Sequence, residues 1–221
     1  MRKSEASGET APQSAPDVDD PGVAAAERLA RDNGAEPRHA AQVRRNSVML
    51  FDALRGIHGL GAAERRVLEA AALMHDAGYS LRPKKTHHKG SRDLVMASAL
   101  EGFSDTERRM IACVARYHRK AHPNPRHKVY NELKAPERAV VRKLAAILRI
   151  ADGLDRGRCD SLHGVAIEHS QEKVRILVEQ HPPSPVDIWG GMRKRVLFEE
   201  VFGVELELLQ ADGGDEKEVT Q

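Results

Sequence analysis

Residues 71–79, Ala-Ala-Leu-Met-His-Asp-Ala-Gly-Tyr, close an apolar helical run with an imidazole and a carboxylate side by side. Val67, Ala71 and Met74 share a helical stripe with His75, so the periodicity turns the imidazole inward rather than to water. Burying such a pair is costly unless something compensates both groups. A divalent cation is one compensation, because imidazole nitrogen and carboxylate oxygen both ligate zinc, manganese or iron. A helix end that satisfies the pair with backbone groups is another. Gly78 lets the chain turn away sharply afterwards. A His-Asp doublet alone does not choose between the two, so the choice rests on partners elsewhere in the chain.

Those partners come from three further helical patterns. A helix expected from Pro37 to Leu54 has the inward stripe His39, Val43, Leu50, Leu54. Ser104-Asp-Thr-Glu107 is a capping box opening a helix whose stripe is Ile111, Val114, Ala115, His118. A long helix from Pro136 to Arg156 carries Val141, Ala145, Leu148, Asp152 and Asp155 in line. Four helices thus each set an ionisable group on an otherwise apolar stripe: His39, His75 with Asp76, His118, and Asp152. One shared metal would resolve all of them. His88, at the start of a helix expected over 88–100, is a further candidate ligand, and Asp76 is placed to bridge two ions. The competing readings are satisfied core histidines for His39 and His118, an ordinary loop histidine for His88, and a helix-end ion pair with Arg156 or Arg158 for Asp155.

The 221 residues suffice for one globular domain with a small appendage. Residues 1–21 are too poor in apolar side chains to offset the entropy of ordering and read as a disordered tail. Helical periodicity then holds over 22–160, opening with a short helix at 23–32. From Leu162 the period changes to two: strands are expected at 165–167, 174–178 and 204–208, with one helix over 185–202 that Trp189 is expected to anchor. The expected fold is therefore mainly α, a helical bundle over 22–160 with a small C-terminal β-β-α-β appendage over 161–210. Residues 211–221 form an acidic, frayed end. Cys113 and Cys159 have no ligand or scaffold spacing, the opening residues lack an apolar leader, and no apolar run reaches membrane length. A cytoplasmic protein is expected.

Lys and Arg number 35 against 33 Asp and Glu, so the net charge says little, but the distribution is uneven. Residues 81–91 and 108–131 contain no acid. Within them Lys89, Arg116, Arg119 and Lys120 flank the candidate ligands and are suited to hold phosphate oxygens. Nucleic acid is disfavoured, because Tyr117 and Tyr130 are the aromatic platforms these segments offer.

The order His39, His75-Asp76, His88, His118, Asp152 resembles the HD superfamily of metal-dependent phosphohydrolases. More narrowly, residues 38–160 are similar to the C-terminal helical domain of the exopolyphosphatase and guanosine-pentaphosphatase family. The strings A-L-M-H-D-A-G-Y, H-H-K-x-S at 87–91, G-F-S-D at 102–105, V-A-R-Y-H-R-K at 114–120 and L-R-I-A-D-G-L-D-R at 148–156 carry the likeness. L-F-E-E-V-F-G-V-E-L at 197–206 resembles that family's final small domain. In full-length relatives the phosphatase centre lies in two N-terminal actin-like domains, in whose place this sequence has 21 residues, so that activity is not carried over. The resemblance implies one or two divalent ions (Mn, Fe, Co, Zn or Mg), with His39, His75, Asp76 and Asp152 on the first and His88 and His118 joining for a second. It implies hydrolysis of a polyanionic phosphate, polyphosphate or a polyphosphorylated nucleotide, with Asp76, Lys89 and Arg116 as catalytic residues and Lys89, Arg116, Arg119 and Lys120 holding phosphates. A homodimer is also implied. The alternative is a polyphosphate-binding or regulatory module that does no chemistry.

Overall fold

The structure, a computed structural model, describes residues 20–82 and 85–211. Residues 1–19 of the expected tail and 212–221 of the acidic end lie outside the described residues. Asp20 and Pro21, assigned to the tail from sequence, instead start the first helix, α1 (Pro21–Asp32), where the Asp20 carboxylate accepts from the amides of Gly22 and Val23 at 2.8 and 3.0 Å. The chain continues through α2 (Pro37–Ala53), α3 (Arg55–His58), α4 (Ala62–Met74), a 3-10 turn (Ala77–Tyr79), α5 (His87–Ala97), α6 (Asp105–Tyr117), α7 (Lys128–Asn131) and α8 (Ala135–Gly153). Several starts have a local cause. Glu36 caps α2 ahead of Pro37, and Ser104 and Glu107 satisfy each other's amides at the head of α6.

Helix α8 is the centre of the bundle. Leu144, Ile147 and Leu148 are fully buried, α2, α4 and α6 pack on it, and those helices bury Val43, Leu50, Leu68 and Ile111 in the same core. No described helix is long and apolar enough to cross a membrane.

The C-terminal part is β1 (Leu162–His169), β2 (Lys173–Gln180), α9 (Pro185–Met192), α10 (Val196–Phe202) and β3 (Glu205–Gln210). The strands form one sheet in the order β1-β2-β3, with β1 antiparallel and β3 parallel to β2. Val174, Ile176 and Val178 alternate onto the buried face, as the period-two pattern predicts. The fold is thus mainly helical with a small three-stranded sheet at its C-terminal end. One expected helix is two. The run over 185–202 breaks at Arg193-Lys194-Arg195, and the turn there brings Lys194 onto Asp152 of α8. Glycines make the close approach: a Cβ on Gly190 would lie 2.3 Å from the Gly153 carbonyl oxygen, so α8 and α9 touch backbone to backbone.

Candidate metal centre

The charged residues of the centre sit at helix ends. His39 lies in the first turn of α2, His75 and His118 follow the last residues of α4 and α6, His87 opens α5, and Asp152 is in the last turn of α8. Ends of helices have unpaired backbone groups, and two of the histidines use them. The ring of His75 donates from Nδ1 to the Ala72 carbonyl at 2.6 Å, and His118 donates from Nδ1 to the Ala115 carbonyl at 2.7 Å. The same Ala-x-x-His spacing produces both. A carbonyl only accepts, so each Nδ1 carries the proton and each Nε2 is left with its lone pair inward.

His39 reaches the same orientation by another route. Its Nδ1 donates to Asp155 Oδ2 at 2.5 Å, so its Nε2 also faces the centre. Sequence alone offered Asp155 an arginine partner; the structure gives it His39. A ring nitrogen tied to a carboxylate or carbonyl while the other points into a polar pocket is how proteins orient metal-ligating histidines.

The inward atoms then crowd. His39 Nε2 and His75 Nε2 are 3.1 Å apart, with Asp76 Oδ2 at 3.7 Å from the first and 3.6 Å from the second. Asp152 Oδ1 is 3.6 Å from His39 Nε2 and 3.9 Å from His75 Nε2. On the other side of Asp76, its Oδ1 is 3.0 Å from His87 Nε2 and 3.6 Å from His118 Nε2, and those two nitrogens are 3.4 Å apart. Ligands around a tetrahedral ion with bonds of about 2.0–2.1 Å stand about 3.3 Å from one another. Two sets, His39 with His75 and Asp76, and Asp76 with His87 and His118, can each hold a metal ion, and the two oxygens of Asp76 serve one set each.

The charge states fit a cation-hungry centre. Burial would lower His39, but Asp152 and Asp155 outweigh it and raise the ring to about 9. Burial keeps His75 and His118 below their ordinary value, hence neutral. Burial opposes ionisation of Asp76, yet His75, His87 and His118 hold it well below the usual carboxylate range. Asp152 is likewise held down against burial, by Lys194 first and then by the imidazoles.

The expectation for His88 does not survive in that form. His87, its neighbour, turns Nε2 onto Asp76, while His88 is buried with its ring 6.5 Å from that of His118 and its Nδ1 without a hydrogen-bond partner. Helix α5 begins one residue earlier than expected, and one residue rotates a side chain by about 100° around a helix. Gly78 lies in the 3-10 turn where the chain leaves α4, and it also makes a close contact: a Cβ there would stand 2.0 Å from the Ser91 amide nitrogen, so the turn lies directly on α5.

A cleft of about 380 Å³ opens onto the centre. Of the four cations expected to hold phosphate, Arg119 and Lys120 line it, whereas Lys89 and Arg116 do not. They gather instead with Arg92 near His127, whose ring burial and then Arg116, Arg92 and Lys89 push down. Lys120 also spends its ammonium on the Lys85 carbonyl, at 2.7 Å. The cleft gains Arg149, Arg156, Arg158, Arg193 and Lys194, which the acid-free segments did not point to, because they lie at the end of α8 and between α9 and α10. Trp189 is another surprise. Expected as an anchor, it is half exposed and lines the cleft.

Fold and centre together define a helical domain whose helix ends converge on paired His/Asp clusters, closed on one side by a small α/β layer. The family described as Ppx/GppA phosphatase, domain III, matches residues 23–182, and the chain belongs to that family. None of the curated proteins compared with it matches.

Proposed function

We propose that this chain is a metal-dependent phosphohydrolase of the HD type, acting on a polyanionic phosphate in the cationic cleft. One observation carries the reading: the two oxygens of Asp76 face separate imidazole pairs, His75 and His118 each have Nδ1 tied back and Nε2 presented bare, and His39 Nδ1 is tied to Asp155 with Nε2 turned to the same point. The 3.1 Å approach of His39 Nε2 to His75 Nε2 holds a proton in the metal-free protein, and a cation that displaced that proton would meet both nitrogens. The donor set, imidazole with carboxylate, suits Mn, Fe, Co, Zn or Mg in that role. His39, His75, Asp76 and Asp152 would hold one ion, and His87 and His118, sharing Asp76, a second.

Such an ion lowers the pKa of a bound water toward neutrality and offsets charge on phosphoryl oxygens. The remaining work belongs to the chain. Arg119, Arg156 and Arg158 present guanidinium groups that pair with the substrate's other phosphates, and Asp155 keeps the His39 ring in one orientation and tautomer. Lys194 screens the Asp152 carboxylate from the incoming anion. The family match supports a phosphatase relation without deciding between catalysis and binding by this domain.

The test is elemental analysis of the protein as purified, with phosphate release from tripolyphosphate and nucleoside polyphosphates across a panel of metals. Turnover is expected with at least one metal, and Asp76→Asn should reduce it on the order of a thousandfold, the rate equivalent of several kcal/mol of lost charge stabilisation. Protein that binds these anions tightly in every metal yet releases no phosphate would replace the enzyme with a polyphosphate-binding module.

A further inference from the structure

Trp189 is the single tryptophan of the chain, and half of its surface, 50%, is left to solvent. An indole exposed to that extent gives up hydrophobic stabilisation that a core position would have supplied. Its place explains what the exposure serves. Trp189 lines the same cleft as Asp76, Asp152 and Arg119, on the helix α9 that the glycine contact presses onto the end of α8. Arg193 covers part of the ring, its guanidinium carbon 4.8 Å from the centroid, which fixes the indole and adds positive charge beside it. A second ring lies in the cleft: Tyr79 is 39% exposed and stacked on His87 at 4.1 Å, with 25° between the planes.

Cations account for a phosphate chain. They do not account for an exposed indole, since inorganic polyphosphate has no surface that gains from contact with an aromatic face. A planar heteroaromatic ring does. We propose that Trp189 determines specificity by stacking on an aromatic base, so that the cleft takes nucleoside phosphates in preference to inorganic polyphosphate. The assignment rests on the cleft being the substrate site proposed above. The phosphates lie with the arginines and the metal ligands, and the base lies against α9, which makes the α/β layer the selector and the helical bundle the phosphate end.

Because Trp189 is the lone indole, its emission reports the contact directly. The protein is loaded with zinc or magnesium, which do not quench, excited at the red edge of the indole band, and titrated with guanosine and adenosine phosphates, ribose 5-phosphate and tripolyphosphate. The base-bearing ligands are expected to change the emission saturably, and the two base-free ligands to leave it unchanged. In equilibrium dialysis Trp189→Ala should weaken nucleotide binding about tenfold or more, the usual worth of one aromatic platform, with tripolyphosphate binding unaltered and Trp189→Phe close to the parent. Nucleotides that fail to bind, or bind without altering the emission, overturn the proposal. So does equal weakening of both ligand classes, or a change in sedimentation of Trp189→Ala that reveals a subunit contact. These are binding readouts, so a saturable nucleotide response without turnover sinks the enzyme and leaves the base platform standing. Turnover with no preference for a base does the reverse.

Discussion

Asp155 is the residue through which the centre is tuned, although it touches no inward atom. Its carboxylate, 2.5 Å from His39 Nδ1, decides which nitrogen of that ring keeps its proton and how firmly the ring is held. In Asp155→Asn the hydrogen bond becomes neutral and the amide can present either end, so the ring loses both its orientation and part of its basicity. Metal affinity is expected to fall about 10- to 100-fold, measured by competition with a chromophoric chelator, while the metal-free fold persists. An unchanged affinity would mean that His39 does not ligate. The inward direction of Asp155 was legible, because Asp152 and Asp155 sit three residues apart on the stripe of the helix expected over 136–156, although α8 itself ends at Gly153. Its partner was not, because helical phase gives a face and says nothing of what arrives there from 116 residues away. The His87-His88 pair shows the same limit more sharply. Two identical residues at a helix start are distinguished by phase alone, and a one-residue error in that start exchanges them.

At the level of elements, the site is set by two places where backbones meet without side chains between them. Gly78 lies against Gly90 and Ser91 of α5, and the contact is locked by the Ser91 hydroxyl, which accepts from the Gly78 amide at 3.0 Å and donates to the His75 carbonyl at 2.7 Å. The first residue of α5 is His87, so this contact fixes its reach to Asp76. In Gly78→Ala the added methyl meets main chain on three sides, and backbone cannot step aside as a flexible side chain would. A loss of about 1–3 kcal/mol or more is expected in chemical denaturation, with weaker binding of the second metal equivalent than of the first. Equal loss at both equivalents would show that the shift is not confined to α5. The capping signals at Ser104 and the proline at the head of α2 made these helices readable from sequence. The break between α9 and α10 follows Gly190-Gly191, a signal the expected single helix over 185–202 passed over, and the turn after it sets Lys194 on Asp152.

Across the whole molecule, helices α2, α4, α5, α6 and α8 each deliver a charged or lone-pair-bearing group to one point, while α9 closes the cleft. The arrangement concentrates buried polar groups in the metal-free state: imidazole nitrogens 3.1 and 3.4 Å apart and two mostly buried carboxylates. An ion that binds the folded chain and not the unfolded one stabilises it by mass action, about 2.7 kcal/mol at a concentration 100 times the dissociation constant. For a chain of this length that corresponds to a rise in Tm of about 5–10 °C. Removing metal with a chelator should therefore lower Tm by that amount, and Asp76→Asn should abolish the dependence on metal. The bundle and the α/β layer share the contact of Gly153 with Gly190 and the Asp152–Lys194 pair, so the emission of Trp189 on α9 and the far-ultraviolet helix signal should fall at one temperature in the loaded protein. A Tm insensitive to chelation would mean that the converging side chains hold no ion. Two separate transitions would mean that the layer bearing Trp189 is only loosely joined to the site it closes.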